Sequence, residues 1–190
     1  RVKFLGHDTD GRTGPEMALT MPPGQFRTVA DALGTLFGVT LDWGALLISS
    51  ESPSLVVSGQ TTTPGCGGTF GQSVPSFAEA SLIPAGSWRV LVPIREDSLA
   101  RSNLILANAV STPLDVDVVV LTDKGVTVGT RRVTLPPLGM TQLALADLVS
   151  AALPAGQLVV STPTIGGLFA AYASTIDNVT NDPRTLLPGP

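Results

Sequence analysis

A chain of 190 residues with net charge −4 spreads eleven basic side chains thinly from Arg1 to Arg184 and offers no basic stripe for a phosphate backbone, so no nucleic-acid partner is expected. Charged residues make up only 14% and hydrophobic ones 43%, while 20 Gly and 16 Pro punctuate the chain, which suits many short strands joined by turns and excludes long helices. No apolar run approaches the roughly 20 residues that span a bilayer, so no membrane insertion is expected.

From the N-terminus, Arg1-Val2-Lys3-Phe4 reads as a strand entering an Asp8-Thr9-Asp10-Gly11 turn. A second strand runs to Pro22-Pro23, and a third follows at Gln25–Val29. Ala30–Leu33 has length for a turn or two of helix. Two further strands read as Gly44–Ser49 and Leu55–Ser58. The Pro-, Gly- and Ser-rich stretch from Thr69 to Asp97 reads as a closing strand and a structured connector, in which Trp88–Ile94 alternates like a strand. Beyond it come Ser102–Asn108, Asp115–Val120, a Thr122-Asp123-Lys124-Gly125 turn, and a strand to Pro136-Pro137. Met140–Leu143, a short helical Ala144–Val149, Gly156–Ser161, Leu168–Ala173 and a closing Thr185–Leu187 complete the series.

Part of this order occurs twice. Val2, Gly11, Thr13, Thr20, Pro22 and Pro23 recur 114 positions later as Val116, Gly125, Thr127, Thr134, Pro136 and Pro137. The second copy has about seven strands, the count of a small two-sheet sandwich. The first has no counterpart of the opening strand Ser102–Asn108. The expected fold is therefore all-β: two tandem Ig-like antiparallel β-sandwich units from an internal duplication, with short one- to two-turn helices, the first unit lacking its opening strands. The units read as 1–75 and 101–190, with a connector carrying a strand at 76–100.

Several stretches resemble an uncharacterised family of tandem β-sandwich modules of bacterial secreted and cell-surface proteins. They are Gly68–Gln72; Arg95–Ser98 with Arg101–Leu104 and Ala107–Ala109; Thr134–Gly139 with Thr141–Leu143; and Ala171–Asn178 with Asn181–Pro183. The resemblance covers residues 68 to 190 well and residues 1 to 67 weakly. It implies secretion, Ig-like topology and tandem arrangement, and no catalytic residues. Low Lys, abundant Thr, Ser and Gly, and Arg1 in place of an initiator Met point the same way, to an exported and processed protein.

Candidate chemistry is sparse. His7 is the only histidine, beside Asp8 and Asp10, so a Ser-His-Asp arrangement would have to use it; the duplicated copy holds Leu121 there, which favours a structural role. Asp8-Thr9-Asp10-Gly11 looks like the start of a calcium loop, but Leu19 stands where the closing acid belongs, and Lys124 in the duplicated turn would repel a cation. A hairpin turn is the reading adopted, leaving calcium open. Glu96 and Asp97 read as a solvated loop rather than a glycosidase pair, and Asp177 and Asp182 as turn residues around Asn178–Asn181, where Asn178-Val179-Thr180 fits a glycosylation sequon. Trp43 and Trp88 read as core or inter-domain packing rather than a ligand platform. The lone Cys66 excludes an internal disulfide or a Cys-based zinc site and leaves a free thiol or an inter-chain bridge open.

No catalytic, cofactor or metal residues are therefore assigned. The expected role is a non-catalytic extracellular structural or adhesion module, completed at the edge near Val2–Phe4 by an upstream segment or a neighbouring subunit, with homo-oligomers a further way to cover that edge. The alternative is a carbohydrate- or peptide-binding accessory module of a secreted enzyme.

Overall fold

A computed structural model describes residues 1–65 and 68–189, so the reading of Cys66 lies outside the described residues. The chain opens with β1 (Val2–Gly6), β2 (Glu16–Met17), a six-residue helix α1 (Ala32–Phe37), β3 (Gly44–Ile48) and a hairpin of β4 (Gly59–Gly65) and β5 (Gly68–Val74). The first sheet is antiparallel in the order β2-β1-β3, with Val2 opposite both Met17 and Ile48 and Phe4 opposite Leu46. Directly opposed residues share a face, so Met17, Val2, Phe4, Leu46 and Ile48 form one apolar face. The helix that covers it starts at Asp31, whose carboxylate accepts the Gly34 N–H at 3.2 Å, and stops at Gly38, where φ of 69° suits glycine. Phe37 stacks on Phe4 with ring centroids 6.0 Å apart.

This arrangement corrects the expected open edge near Val2–Phe4. After a 3-10 turn at Gly11–Thr13 the chain returns as β2 beside Val2 and Lys3, and the Phe4 N–H donates to the Pro15 carbonyl at 3.0 Å. With β3 on its other side, β1 is an interior strand. The strands expected up to Pro22-Pro23, at Gln25–Val29 and at Leu55–Ser58 also differ from what forms: β2 has two residues, and the other two segments have no strand. A strand needs a neighbour to take its N–H and C=O groups, and Phe26, at 91% exposed, has none.

The remaining strands build a sandwich. They are β6 (Ile83–Pro84), β7 (Trp88–Glu96), β8 (Ala100–Asn108), β9 (Leu114–Thr122), β10 (Thr127–Leu135), β11 (Met140–Ala144), β12 (Leu153–Ser161), β13 (Leu168–Asp177) and β14 (Pro183–Leu186). One antiparallel sheet runs β10-β9-β12-β7, and the other runs β11-β8-β13-β14 with β6 also on β13. Period-two alternation turns Val116, Val118, Val120, Leu158 and Val160 inward from the first sheet and Leu104, Leu106, Phe169, Ala171 and Ala173 inward from the second, in one buried cluster. The fold class is all-β and sandwich-like, in antiparallel sheets with no barrel.

Residues 76–100 are more than a connector. β7 pairs with β12 along Trp88–Glu96 and gives Leu91 and Ile94 to the core, while Ile83 pairs with Phe169. The sandwich therefore begins near Ile83, two strands before the boundary drawn at 101. The hairpin of β4 and β5 docks on it as well. Gln72 donates from Nε2 to Thr185 Oγ1 at 2.8 Å and accepts from Ser174 Oγ at 3.0 Å, and Thr185 Oγ1 donates to the Ser73 carbonyl at 2.7 Å.

Candidate interface at the N-terminal sheet

The residues that drew most notice in the sequence, His7 to Gly11, form the seam between the N-terminal sheet and the sandwich. The chain leaves β1 at His7, whose N–H donates to the Trp43 carbonyl at 3.1 Å, and turns at Asp8, where φ is 55°. The Asp8 N–H then donates to the Met140 carbonyl at 2.8 Å, and the Gly11 N–H to the Pro137 carbonyl at 2.9 Å. The Thr141 hydroxyl donates to the Asp8 carboxylate. Gly11 is required by close approach, since a Cβ there would lie 2.1 Å from the Leu138 carbonyl oxygen. The His7 ring stacks on Trp43 at 4.3 Å and 11°, with Nδ1 3.0 Å from Asp8 Oδ2 and Nε2 3.8 Å from Asp42 Oδ1.

His7 therefore touches carboxylates and an indole, and the hydroxyls of the turn are engaged elsewhere, Thr141 with Asp8 and Thr9 with the Gly6 carbonyl. This is a fastening, with its polar atoms consumed in holding two units together. Thr141 and Asp42 take part in it although neither stood out in the sequence. Asp8 and Thr141 are 133 positions apart, and no local pattern pairs them.

The Thr141 hydroxyl first, and the His7 ring second, hold the Asp8 carboxyl below the ordinary carboxylate range against a smaller upward push from burial. The group is charged and bonded in the folded state and less favoured as an anion in the unfolded one. Its contribution is full above the unfolded value near about 3.9 and is lost as pH falls through the lowered folded value. The expected result is a seam that stays closed down to about pH 4 and loosens only below it. An acid titration followed by Trp43 emission in a Trp88→Phe background checks this. Asp8→Asn should flatten the transition, and a transition centred above about pH 5 would contradict the assignment.

The other candidates are similarly consumed. The Asp10 carboxylate is taken by Arg12, which donates to it from Nε at 3.0 Å and lowers its pKa. Lys3 Nζ donates to the Arg12 carbonyl at 2.7 Å, so the Asp8–Asp10 turn has cations at its side rather than free oxygen ligands. Among the described residues, no group of three or more His, Cys, Asp or Glu is placed to hold a metal ion. Asp97 is not in a solvated loop: its side chain is 12% exposed and accepts from Arg95 Nε at 2.7 Å and from the N–H groups of Leu99 and Ala100. Burial pushes the Asp97 carboxyl up, but those donors outweigh it and leave it lowered. Glu96 accepts the Ser102 N–H at 3.0 Å.

Asp177 Oδ1 accepts the N–H groups of Val179 and Thr180, both at 2.8 Å, as turn residues do. Asn178, the sequon residue, donates from Nδ2 to the Asp97 carbonyl at 3.1 Å and accepts from Arg101 at 2.8 Å, so its amide is occupied. Asp97, Arg101 and Asn178 thus knot the β7–β8 turn to the β13–β14 turn. A surface concavity lined by Thr122, Asp123, Val149 and Leu153 has Asp123 as its one ionisable lining group.

Trp88 departs from its expected packing role: it is 56% exposed, beside Ser161 on the outer face of its sheet. Trp43, 42% exposed, packs on His7 at the seam between the two units.

No family model matches the chain, and no curated protein does. It is similar to one solved structure, the crystal structure of Thermotoga maritima 1070, with a TM-score of 0.44 and 12% identity over 55% of this chain and 91% of that one. The functional reading therefore rests on the residues themselves.

The N-terminal unit leaves apolar surface and a strand edge open. Val2, Phe4 and Leu5 are buried but lie outside the sandwich cluster, while Leu41, Trp43, Leu46, Leu47 and Val56 are exposed. Among the described residues, β3 has β1 on one side and no hydrogen-bonded strand on the other.

Proposed function

We propose that this chain is a non-catalytic extracellular structural or adhesion module of a bacterial surface protein, built from two tandem Ig-like units whose first is completed by a strand from another subunit or segment. The observation that carries the reading is a shared ladder. In the N-terminal sheet Phe4 sits opposite Leu46, and 114 positions on, Val118 sits opposite Val160 in the sandwich. The central strand lies between its hairpin partner and a third strand in both, as β2-β1-β3 and as β10-β9-β12.

In the sandwich, that three-stranded unit is continued by β7 beyond β12 and covered by a second sheet. Within residues 1–75 the N-terminal sheet has neither, and the short α1, stacked through Phe37 on Phe4, stands in place of a second sheet. An apolar sheet with an open edge is a liability unless something pairs with it, so association is the use to which the feature fits. Extracellular placement is supported by the composition, and a structural rather than catalytic role by polar groups that bond one another. No helix of the described residues is long and apolar enough to cross a membrane.

Size-exclusion chromatography with light scattering tests the proposal. The expected result is a mass above 19.5 kDa that rises with concentration; a stable lone monomer of 19.5 kDa throughout would contradict it.

A second reading, a carbohydrate- or peptide-binding accessory module, draws on the exposed Trp88, which heads a row with Ser161, Asp117 and Arg132 across the outer sheet face. Saturable binding on a glycan array, lost on Trp88→Ala, is what it requires.

A further inference from the structure

We infer that β3 is the docking edge of the module and that its occupant is a second copy of this chain, pairing antiparallel about Leu46 to make one continuous sheet, β2-β1-β3 running into its two-fold mate. The inference rests on the completion reading above and specifies its site, partner and geometry.

The edges of the molecule differ in how they are protected. β10 carries Arg131 and Arg132 and a bulge at Gly129; β2 has two residues and follows Pro15; β14 opens with Pro183 and is bonded by Gln72 and Ser73. β7 contains Pro93, and its Val90 exchanges hydrogen bonds with Gly189; β11 is met at Met140 by His7 and Asp8; β4 carries Pro64, and β5 is held to β14 through Gln72 and Ser73. These are the usual devices against edge pairing: charge, proline, bulge, brevity and cover. β3 reads Gly44-Ala45-Leu46-Leu47-Ile48, without charge, proline or bulge, and with Leu46 37% and Leu47 41% exposed, on opposite faces.

The hydrogen-bonding groups of that edge are self-complementary. Arg1 exchanges both backbone bonds with Ser49, and His7 donates to Trp43, so the odd-numbered residues of this stretch point their N–H and C=O groups at β1. Alternation then turns those of Gly44, Leu46 and Ile48 outward. A two-fold centred on Leu46 sets Leu46 opposite Leu46 and Gly44 opposite Ile48, so each outward residue meets an outward residue. The flanking acids cause no conflict: Asp42 comes opposite Ser50 and Glu51 opposite Leu41, the latter 100% exposed in the single chain. In the sandwich, the corresponding edge of β12 is filled by an antiparallel strand, β7. A five-residue edge is small, so the pairing is weak and concentration-dependent.

The test uses the full chain with Leu46→Lys and Leu46→Glu. Each variant sets two like charges directly opposite at the two-fold, so each alone should associate about tenfold or more weakly than the parent. An equimolar mixture of the two should recover association, because the charges are then opposite; a misfolded variant would not be rescued in this way. In the parent, amide exchange at Leu46 and Ile48 should slow as concentration rises while Ala45 and Leu47 stay unchanged. If both variants associate like the parent, β3 is not the edge, although the completion reading stands. If the variants stay monomeric and their mixture fails to recover, the two-fold pairing is wrong. A parent chain monomeric at every concentration removes this inference together with the reading beneath it.

Discussion

Phe169→Ala is expected to destabilise the sandwich by about 3–5 kcal/mol, more than any other single truncation of its core. Phe169 is fully buried on β13, the largest side chain of the cluster, beside the small Ala171 and Ala173 of its own strand face and paired with Ile83 of β6. Its neighbours are short and branched, Val and Leu on strands held by ladders on both sides, and they cannot shift to fill the volume of a ring. Chemical denaturation followed by circular dichroism reads the loss as a lowered midpoint at unchanged slope. A midpoint unchanged within error would mean that the two sheets do not pack through this residue.

The second large effect is at the seam. Gly11→Ala is expected to detach the N-terminal sheet while leaving the sandwich nearly as stable as before, with a cost to the seam of about 1–3 kcal/mol. A Cβ 2.1 Å from the Leu138 carbonyl oxygen meets backbone, and no rotamer change relieves it. The segment must lift, losing the Gly11–Pro137 and Asp8–Met140 backbone bonds and the Asp8–Thr141 contact together. Limited proteolysis should then cut within residues 1–75 many times faster at an unchanged thermal midpoint for the sandwich. Loss of both in step would show that the two units unfold as one.

Those two effects separate what local pattern encodes from what it does not. The strands β7 to β13 were readable because alternation and turn chemistry are local. Thr122 Oγ1 accepts the N–H groups of Lys124 and Val126, and Gly125 takes φ of 77°, as an Asp-Lys-Gly turn suggests. In the N-terminal unit the same kind of pattern misled. Gln25–Val29 and Met140–Leu143 both have strand-forming residues, yet Met140–Leu143 is a strand because β8 lies beside it, and no strand pairs with residues 25–29. Strand propensity describes fit to a pleated surface, and without the surface there is no strand.

Register was hidden for a similar reason. The expected strands Gly44–Ser49 and Gly156–Ser161 both open on a glycine, but the ladders follow another offset, in which Gly44 occupies the level of Leu158. The seam was least legible of all. His7, Asp8 and Asp10 stood out as chemistry-bearing residues, but their use as a fastening depends on Thr141, Met140 and Pro137 in a distant part of the chain. Trp88–Ile94 was legible as a strand by its alternation, but its place in the sandwich was not, because the pairing of β7 with β12 and the burial of Leu91 and Ile94 depend on residues far along the chain.

The central claim is that the N-terminal sheet is incomplete by itself and the sandwich is not. Native-state hydrogen exchange on the isolated 190-residue chain at low concentration tests it most directly. The expected result is two levels of opening: low-energy exchange across β1, α1 and β3, and exchange of β8, β9, β12 and β13 only through global unfolding. A single cooperative unit, with Leu5 and Ala45 as protected as Leu106 and Val118, would contradict it.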